Sequence, residues 1–311
     1  MKNIFKHTGI KSAIYGLLSL LVVVALTSCE DVIDFETETG PPQLVVDGWI
    51  TNEPGSQTIN LSWSSGYFDN GTPKPYLGAA VTVTDNFGTI YEFKDVAGDG
   101  KYIWQATAND TLGHIGRSYK LQVKNGNDVF TAMNEIKRVP TVDSIVYQNE
   151  TLPFEPDKGP KKGYIASFYA RDFVGEGDTY WIKPVIRGKA VVEKPTSISI
   201  AYDAAFSAGA PSDGLIFILP LRQAITTDSL YSAGASVGVE LHSITNEAFE
   251  FLKQMREQAA NGGLFAVPIQ NLKSNVVNSN ASGDKALGYF GASAVSRMET
   301  TIDPEKARPE E

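Results

Sequence analysis

From residue 44 to residue 131 hydrophobic and polar positions alternate with a period of two. Leu44-Val45-Val46-Asp47-Gly48-Trp49-Ile50 reads as a strand. In 58–63 the apolar Ile59, Leu61 and Trp63 share one face, and in 80–84 Val81 and Val83 do the same. Tyr91 and Phe93 alternate with Glu92 and Lys94, and 101–104, 119–123 and 129–131 complete seven expected strands. Asn86-Phe87-Gly88, Gly98-Asp99-Gly100 and Asn125-Gly126-Asn127-Asp128 supply turns between them. Short strands with frequent turns and no helical period predict an immunoglobulin-like or transthyretin-like β-sandwich over residues 43–138.

Beyond Val139-Pro140 the pattern loosens. Residues 141–147, 164–170, 179–187 and 237–241 read as strands, and the Ser/Ala/Gly/Pro-rich stretch 193–214 reads as a long irregular excursion. One helix is expected at 245–260. Thr245 caps it, Ile244 and Phe249 form a hydrophobic staple, and Glu247 sits in its first turn. Ala248, Leu252, Met255 and Ala259 fall on one stripe, and Asn261-Gly262-Gly263 ends the helix. Residues 287–297 read as a closing strand. The reading is mainly β: a sandwich, then a second β-rich domain over 139–302 carrying one helix, then a charged, frayed tail over 303–311.

The first residues differ in kind. Lys2, Lys6 and Lys11 precede an apolar run of about 14 residues, 13–26, which fits a signal peptide and is short of the about 20 that span a bilayer. The run ends in Leu26-Thr27-Ser28-Cys29, which resembles the bacterial lipobox. The resemblance implies that residues 1–28 are removed and that Cys29 carries the acyl chains. Several chains hold a protein to a bilayer far better than one. Glu30 and Asp31 directly follow, resembling the surface-export signal of Bacteroidota lipoproteins, and open an acidic tether over 29–42. The location expected from this is the outer membrane, on its outer face, with the periplasmic face as the alternative.

The order of the pieces resembles a Bacteroidota lipoprotein family known as domain of unknown function 4249. The resemblance rests on residues 44–51 after the lipobox, Gly78-Ala79-Ala80-Val81-Thr82-Val83-Thr84-Asp85, Gly100-Lys101-Tyr102 and Gly116-Arg117-Ser118-Tyr119-Lys120-Leu121. In the C-terminal half it rests on Ser243-Ile244-Thr245, Asn275-Val276-Val277-Asn278 and Leu287-Gly288-Tyr289-Phe290-Gly291-Ala292-Ser293. Lys273-Ser274 stand where the family often has glycine. The resemblance implies a two-part β-rich lipoprotein, often encoded beside TonB-dependent outer-membrane transporters, with no established catalytic residues.

Charge and cysteine content narrow the chemistry. Lys and Arg number 27 against 36 Asp and Glu, a net −9. The leader holds three lysines and no acid, so the rest stands at 24 against 36, or −12. No basic stripe is available to displace counterions from phosphates, so nucleic acid is excluded as a partner. One cysteine excludes an intrachain disulfide and a cysteine zinc site. Gly234-Ala235-Ser236-Val237-Gly238 spells the nucleophile-elbow pattern, but a strand follows it and the only downstream histidine, His242, is six residues on. His114 lies in a Gly-flanked loop. Asp95 and Asp99 lack the alternating ligands of a calcium loop, and Glu176 and Asp178 flank a turn glycine.

No enzyme, metal or cofactor is therefore expected. Trp49, Trp63, Trp104 and Trp181 sit in strand patterns and read as core, with a glycan-stacking platform as the other reading. Asp110-Thr111-Leu112, Asp143-Ser144-Ile145 and Asp228-Ser229-Leu230 resemble the Bacteroidota O-glycosylation sequon, which marks Thr111, Ser144 and Ser229. The expected function is a lipid-anchored binding or accessory subunit beside a TonB-dependent transporter, in nutrient capture. A stand-alone glycan- or peptide-binding surface lipoprotein is the alternative. The 164–235 loops are the expected contact surface.

Overall fold

The computed structural model describes residues 40–66, 69, 71–107, 110–191, 194–227, 229–261 and 272–310. The leader, the lipobox Leu26-Thr27-Ser28, Cys29, Glu30, Asp31 and the rest of the tether up to residue 39 lie outside the described residues, as do Asp228 and the expected helix stop at Gly262-Gly263.

The alternating N-terminal segments all form strands: β1 (Leu44–Thr51), β2 (Gln57–Trp63), β3 (Ala80–Asp85), β4 (Ile90–Phe93), β5 (Lys101–Trp104), β6 (Ser118–Asn125) and β7 (Asp128–Glu135). Every second residue turns inward, as the period demands. Leu44, Val46 and Ile50 of β1 meet Val81, Val83, Leu121, Val123, Phe130 and Ala132 of the opposite sheet in one core. Tyr119, fully buried, donates its hydroxyl to Leu112 O and accepts from His114 N, so the ring brings no unpaired polar group inside.

The C-terminal half begins with the hairpin β8 (Val142–Thr151) and β9 (Lys162–Ala170), followed by β10 (Thr179–Ile186), β11 (Lys189–Ala190) and β12 (Ser199–Tyr202). A helical turn α1 (Leu219–Arg222), then β13 (Ser236–Ile244), α2 (Asn246–Ala260), β14 (Val277–Asn278), β15 (Ala286–Ser293) and β16 (Val295–Thr301) complete the chain. The second sheet runs β11-β10-β13-β16, with β12 also paired to β10. Its inner face, Ile182, Val237, Val239 and Leu241, packs with Phe168, Phe217 and Leu221. A mainly β fold results. Residues 41–311 make one compact unit holding all the described strands and all three hydrophobic cores.

Five expectations are corrected. The stretch 287–297 is two strands, not one. β15 joins the first sandwich, parallel to β1 from Leu44↔Ala286 to Thr51↔Ser293, and only β16 returns to the second sheet. The sandwich sheets are thus β15-β1-β2-β5 and β14-β7-β6-β3-β4, both drawing on residues beyond 138. Glycine permits the approach: at Gly288 (φ +84°) an added Cβ would lie 2.0 Å from Val46 O, and at Gly291 it would lie 2.4 Å from the Trp49 ring. The excursion 193–214 contains β12, whose Ile200 is buried under α2.

In α2 itself Thr245 Oγ1 accepts from Ala248 N, and Ile244 and Phe249 are buried together. Ala259, however, is exposed, and Phe251 takes its place in the buried stripe. The tail is bound rather than frayed. Arg308 O accepts from Asn149 N and Nδ2, Arg308 N donates to Tyr147 O, and the Glu310 carboxylate accepts from Thr151 N and Oγ1.

Candidate functional site: an aromatic cleft beside a charged row

The outer face of β1 and β15 is apolar except at Asp47. Val45, Trp49, Leu287 and Tyr289 point away from the sandwich core, and α2 lies against them through Phe251, Leu252 and Met255. With Trp181 of β10, Ile198 and Leu272 they enclose a cleft of about 580 Å³. That is within the about 300–1,000 Å³ of small-molecule sites.

The rings are held in place. Trp49 Nε1 donates to Ser293 Oγ at 2.7 Å, and Ser293 Oγ donates to Ser243 O. Tyr289 is sandwiched between Trp49 (centroids 6.2 Å, planes 26° apart) and Phe251 (4.6 Å, 28°). Trp181 meets Trp49 edge-on at 5.1 Å. Such geometries follow the aromatic quadrupole. Burial pushes the Tyr289 phenol above its ordinary pKa, and Asn134 Nδ2 donates to its oxygen.

Beside the cleft a row of charges crosses the second sheet on the face opposite its core. Lys183, Glu240 and Arg297 stand in register on β10, β13 and β16. Arg297 Nη1 donates to Glu240 Oε1 at 2.9 Å, and His242 Nε2 lies 3.1 Å from Glu240 Oε2. The Lys183 ammonium sits 3.8 Å from the Trp181 ring centroid, a cation–π contact. Burial lowers Lys183 to about 8 against the pull of Glu240, Glu53 and Asp47. Burial, reinforced by Lys183, holds His242 down to about 4 despite its bond to Glu240, so the imidazole is neutral near pH 7. Burial would raise Glu240, yet the His242 bond and the His242, Lys183 and Arg297 charges outweigh it and leave it lowered. Trp181 Nε1 and His242 Nδ1, neighbours across β10 and β13, are both buried without a hydrogen-bond partner among the described residues.

The other singled-out residues take structural places. Ser236 opens β13 and bonds the Glu299 carboxylate, with no strand-to-helix turn at that point. Asp95 accepts from Gly98 N, Asp99 N and Gly100 N, which is turn chemistry. Asp178 pairs with Arg138 at 2.6 Å. His114 lies in the loop before β6. Trp63 packs on the buried Tyr76, and Trp104 on Tyr91; Trp63, Trp104 and Tyr91 lie at the sandwich margin. Thr111 Oγ1 donates to Asn52 O, Ser144 is half-buried in β8, and half-buried Ser229 backs onto Gly159.

Asp172, Asp203 and Asp213 bring one carboxylate oxygen each within 4.8 Å of one another. The sequence gives no sign of this, because the three are spread over 42 residues of loop and strand. Each is engaged with backbone: Asp172 with Gly214 N, Asp203 with Gly177 N and Asp178 N, Asp213 with Gly175 N. Asp172 also accepts the Tyr180 hydroxyl, and burial raises its pKa above the ordinary carboxylate value. Among the described residues no helix is long and apolar enough to cross a membrane.

The fold is mainly β, with a side-chain-lined cleft between a sandwich and a helix. The chain belongs to the family described as Domain of unknown function (DUF4249), whose model matches residues 30–299. No curated protein matches it. Among solved structures, a segment of two fibronectin type III domains from chicken tenascin is 12% identical, covering 66% of this chain and 91% of that one, with a TM-score of 0.19.

Proposed function

We propose that the chain is a lipid-anchored outer-membrane protein, displayed at the cell surface, that captures a small ligand in the aromatic cleft and serves a TonB-dependent transporter. The cleft carries the reading. Its apolar walls and fixed rings are what a capture site needs, and the described residues around it form no nucleophile–base pair. The anchor part rests on Leu26-Thr27-Ser28-Cys29 and on Glu30 and Asp31 after it. Tethering at Cys29 keeps protein and transporter at high effective concentration, so a weak contact between them suffices.

Protease shaving of intact cells, beside a Cys29→Ala strain, followed by gentle extraction and mass spectrometry, tests the placement and the partner. Release from intact cells together with a transporter is expected. Protection in intact cells assigns the periplasmic face. Surface release with no transporter in repeated extractions favours the stand-alone binding protein.

A further inference from the structure

Among the described residues the cleft has little to offer a hydroxyl group. Of its lining side chains, Asp47 and Lys194 are exposed and Gln258 is half-buried, and these form the polar end of the cleft. The polar atoms of the rings are withdrawn: Trp49 Nε1 is held by Ser293, Tyr289 Oη accepts from Asn134, and Trp181 Nε1 is sealed from solvent. A sugar would bury hydroxyl after hydroxyl without partners, and each unpaired one is costly. Ring faces are also partly taken: Tyr289 stacks with Trp49 and Phe251, and the Lys183 ammonium covers one face of Trp181. What remains are ring edges and the flexible or branched chains of Met255, Ile198 and Leu287. Such a wall suits a chain of methylenes, and a methionine adapts to its course.

We propose that the cleft binds an acyl chain, with the apolar tail inside and a polar head left at Asp47 and Lys194. This rests on the cleft being the capture site. Glycans are thereby disfavoured as ligands of this cleft, and flat aromatic compounds rank below chains there.

The test uses residues 41–311, the compact unit that holds all three cores. A naphthylamine dye is bound and then displaced by saturated fatty acids of increasing length, from octanoate to myristate. Affinity is expected to rise about fourfold per added methylene until the cleft is full. Met255→Trp and Leu287→Trp, each of which fills the cleft from a different element, are expected to weaken binding at least tenfold. Urea midpoints show which of the two variants is folded, and one folded variant is enough. A flat length series overturns the acyl assignment. Calorimetric binding of maltoheptaose that the filling variants abolish leaves the cleft standing and overturns the ligand class alone. Binding of the fatty acids that both folded variants leave unchanged overturns the cleft as well.

Discussion

Gly288→Ala, compared with Gly116→Ala, measures the approach of β15 to β1 on which the cleft depends. The two glycines have nearly the same backbone, φ +84° and +81°. A side chain in that region costs about 1–2 kcal/mol. At Gly116 a Cβ meets nothing within 4 Å, so that cost is the whole effect. At Gly288 the new atom would lie 2.0 Å from Val46 O, where ordinary contact starts at 3.4 Å, so the strands must part by about 1.4 Å. The neighbour is backbone in mid-strand and cannot swing aside. Parting them weakens two or three ladder bonds at about 1 kcal/mol each net. It also pulls Phe290 and Ala292, both fully buried, out of register with the core. The expected loss is about 4–5 kcal/mol, in the range that marks a specific structural clash. Urea titration followed by tryptophan fluorescence gives both values, with the slope checked for constancy. Two variants within about 1 kcal/mol of each other would refute the parallel β1–β15 pairing.

Three more outcomes follow from the charges and the helix cap. His242 binds its proton at about 4 in the folded chain and near 6.5 when unfolded, so the unfolded state takes the proton first as pH falls. Its stabilisation, up to about 3 kcal/mol, is complete above pH 6.5 and lost on descent to pH 4, and His242→Gln should flatten a urea-midpoint profile over that window. Burial raises the Asp172 carboxyl, so folding is opposed as pH climbs through its folded pKa. Asp172→Asn, whose amide can donate to Asp203 and Asp213, should raise the midpoint at pH 7 and gain little in acid, and a lowered midpoint at pH 7 would contradict this. Thr245→Ala removes the acceptor for Ala248 N and should cost about 1 kcal/mol in the same titration. No loss there would mean that the cap is idle.

Much of the architecture was legible because it is local. The strands β1 to β7 follow from alternation and from turns such as Asp85-Asn86-Phe87-Gly88, where Asp85 accepts from Phe87 N and Thr89 N. The start of α2 follows from Thr245 and Ile244. What escaped depends on distant partners. Residues 287–297 alternate like a single strand, and only Val46 and Trp49, about 240 positions earlier, explain why Gly288 and Gly291 stand where they do. β12 was hidden because Ser199, Ala201 and Tyr202 look like loop composition until β10 supplies their hydrogen bonds.

The cleft was half legible. Trp49 and Trp181 read as core, and they are half-buried in ring contacts, but their place between two sheets and a helix comes from cross-strand register. The charged row escaped for the same reason. Glu240 and His242 looked like close neighbours on one strand, while Lys183 and Arg297 reach them only through β10 and β16. The tail looked charged and free, yet its carbonyl and carboxylate groups continue the edge of β8.

Capture of a ligand in the aromatic cleft is tested most directly by native mass spectrometry of the protein extracted from its own cells, with and without Met255→Trp. The expected spectrum shows a non-covalent adduct, distinct from the proposed acyl anchor at Cys29, that the substitution removes while the fold persists. An adduct-free spectrum from freshly extracted protein, or an adduct equally present in both proteins, would contradict capture in the cleft.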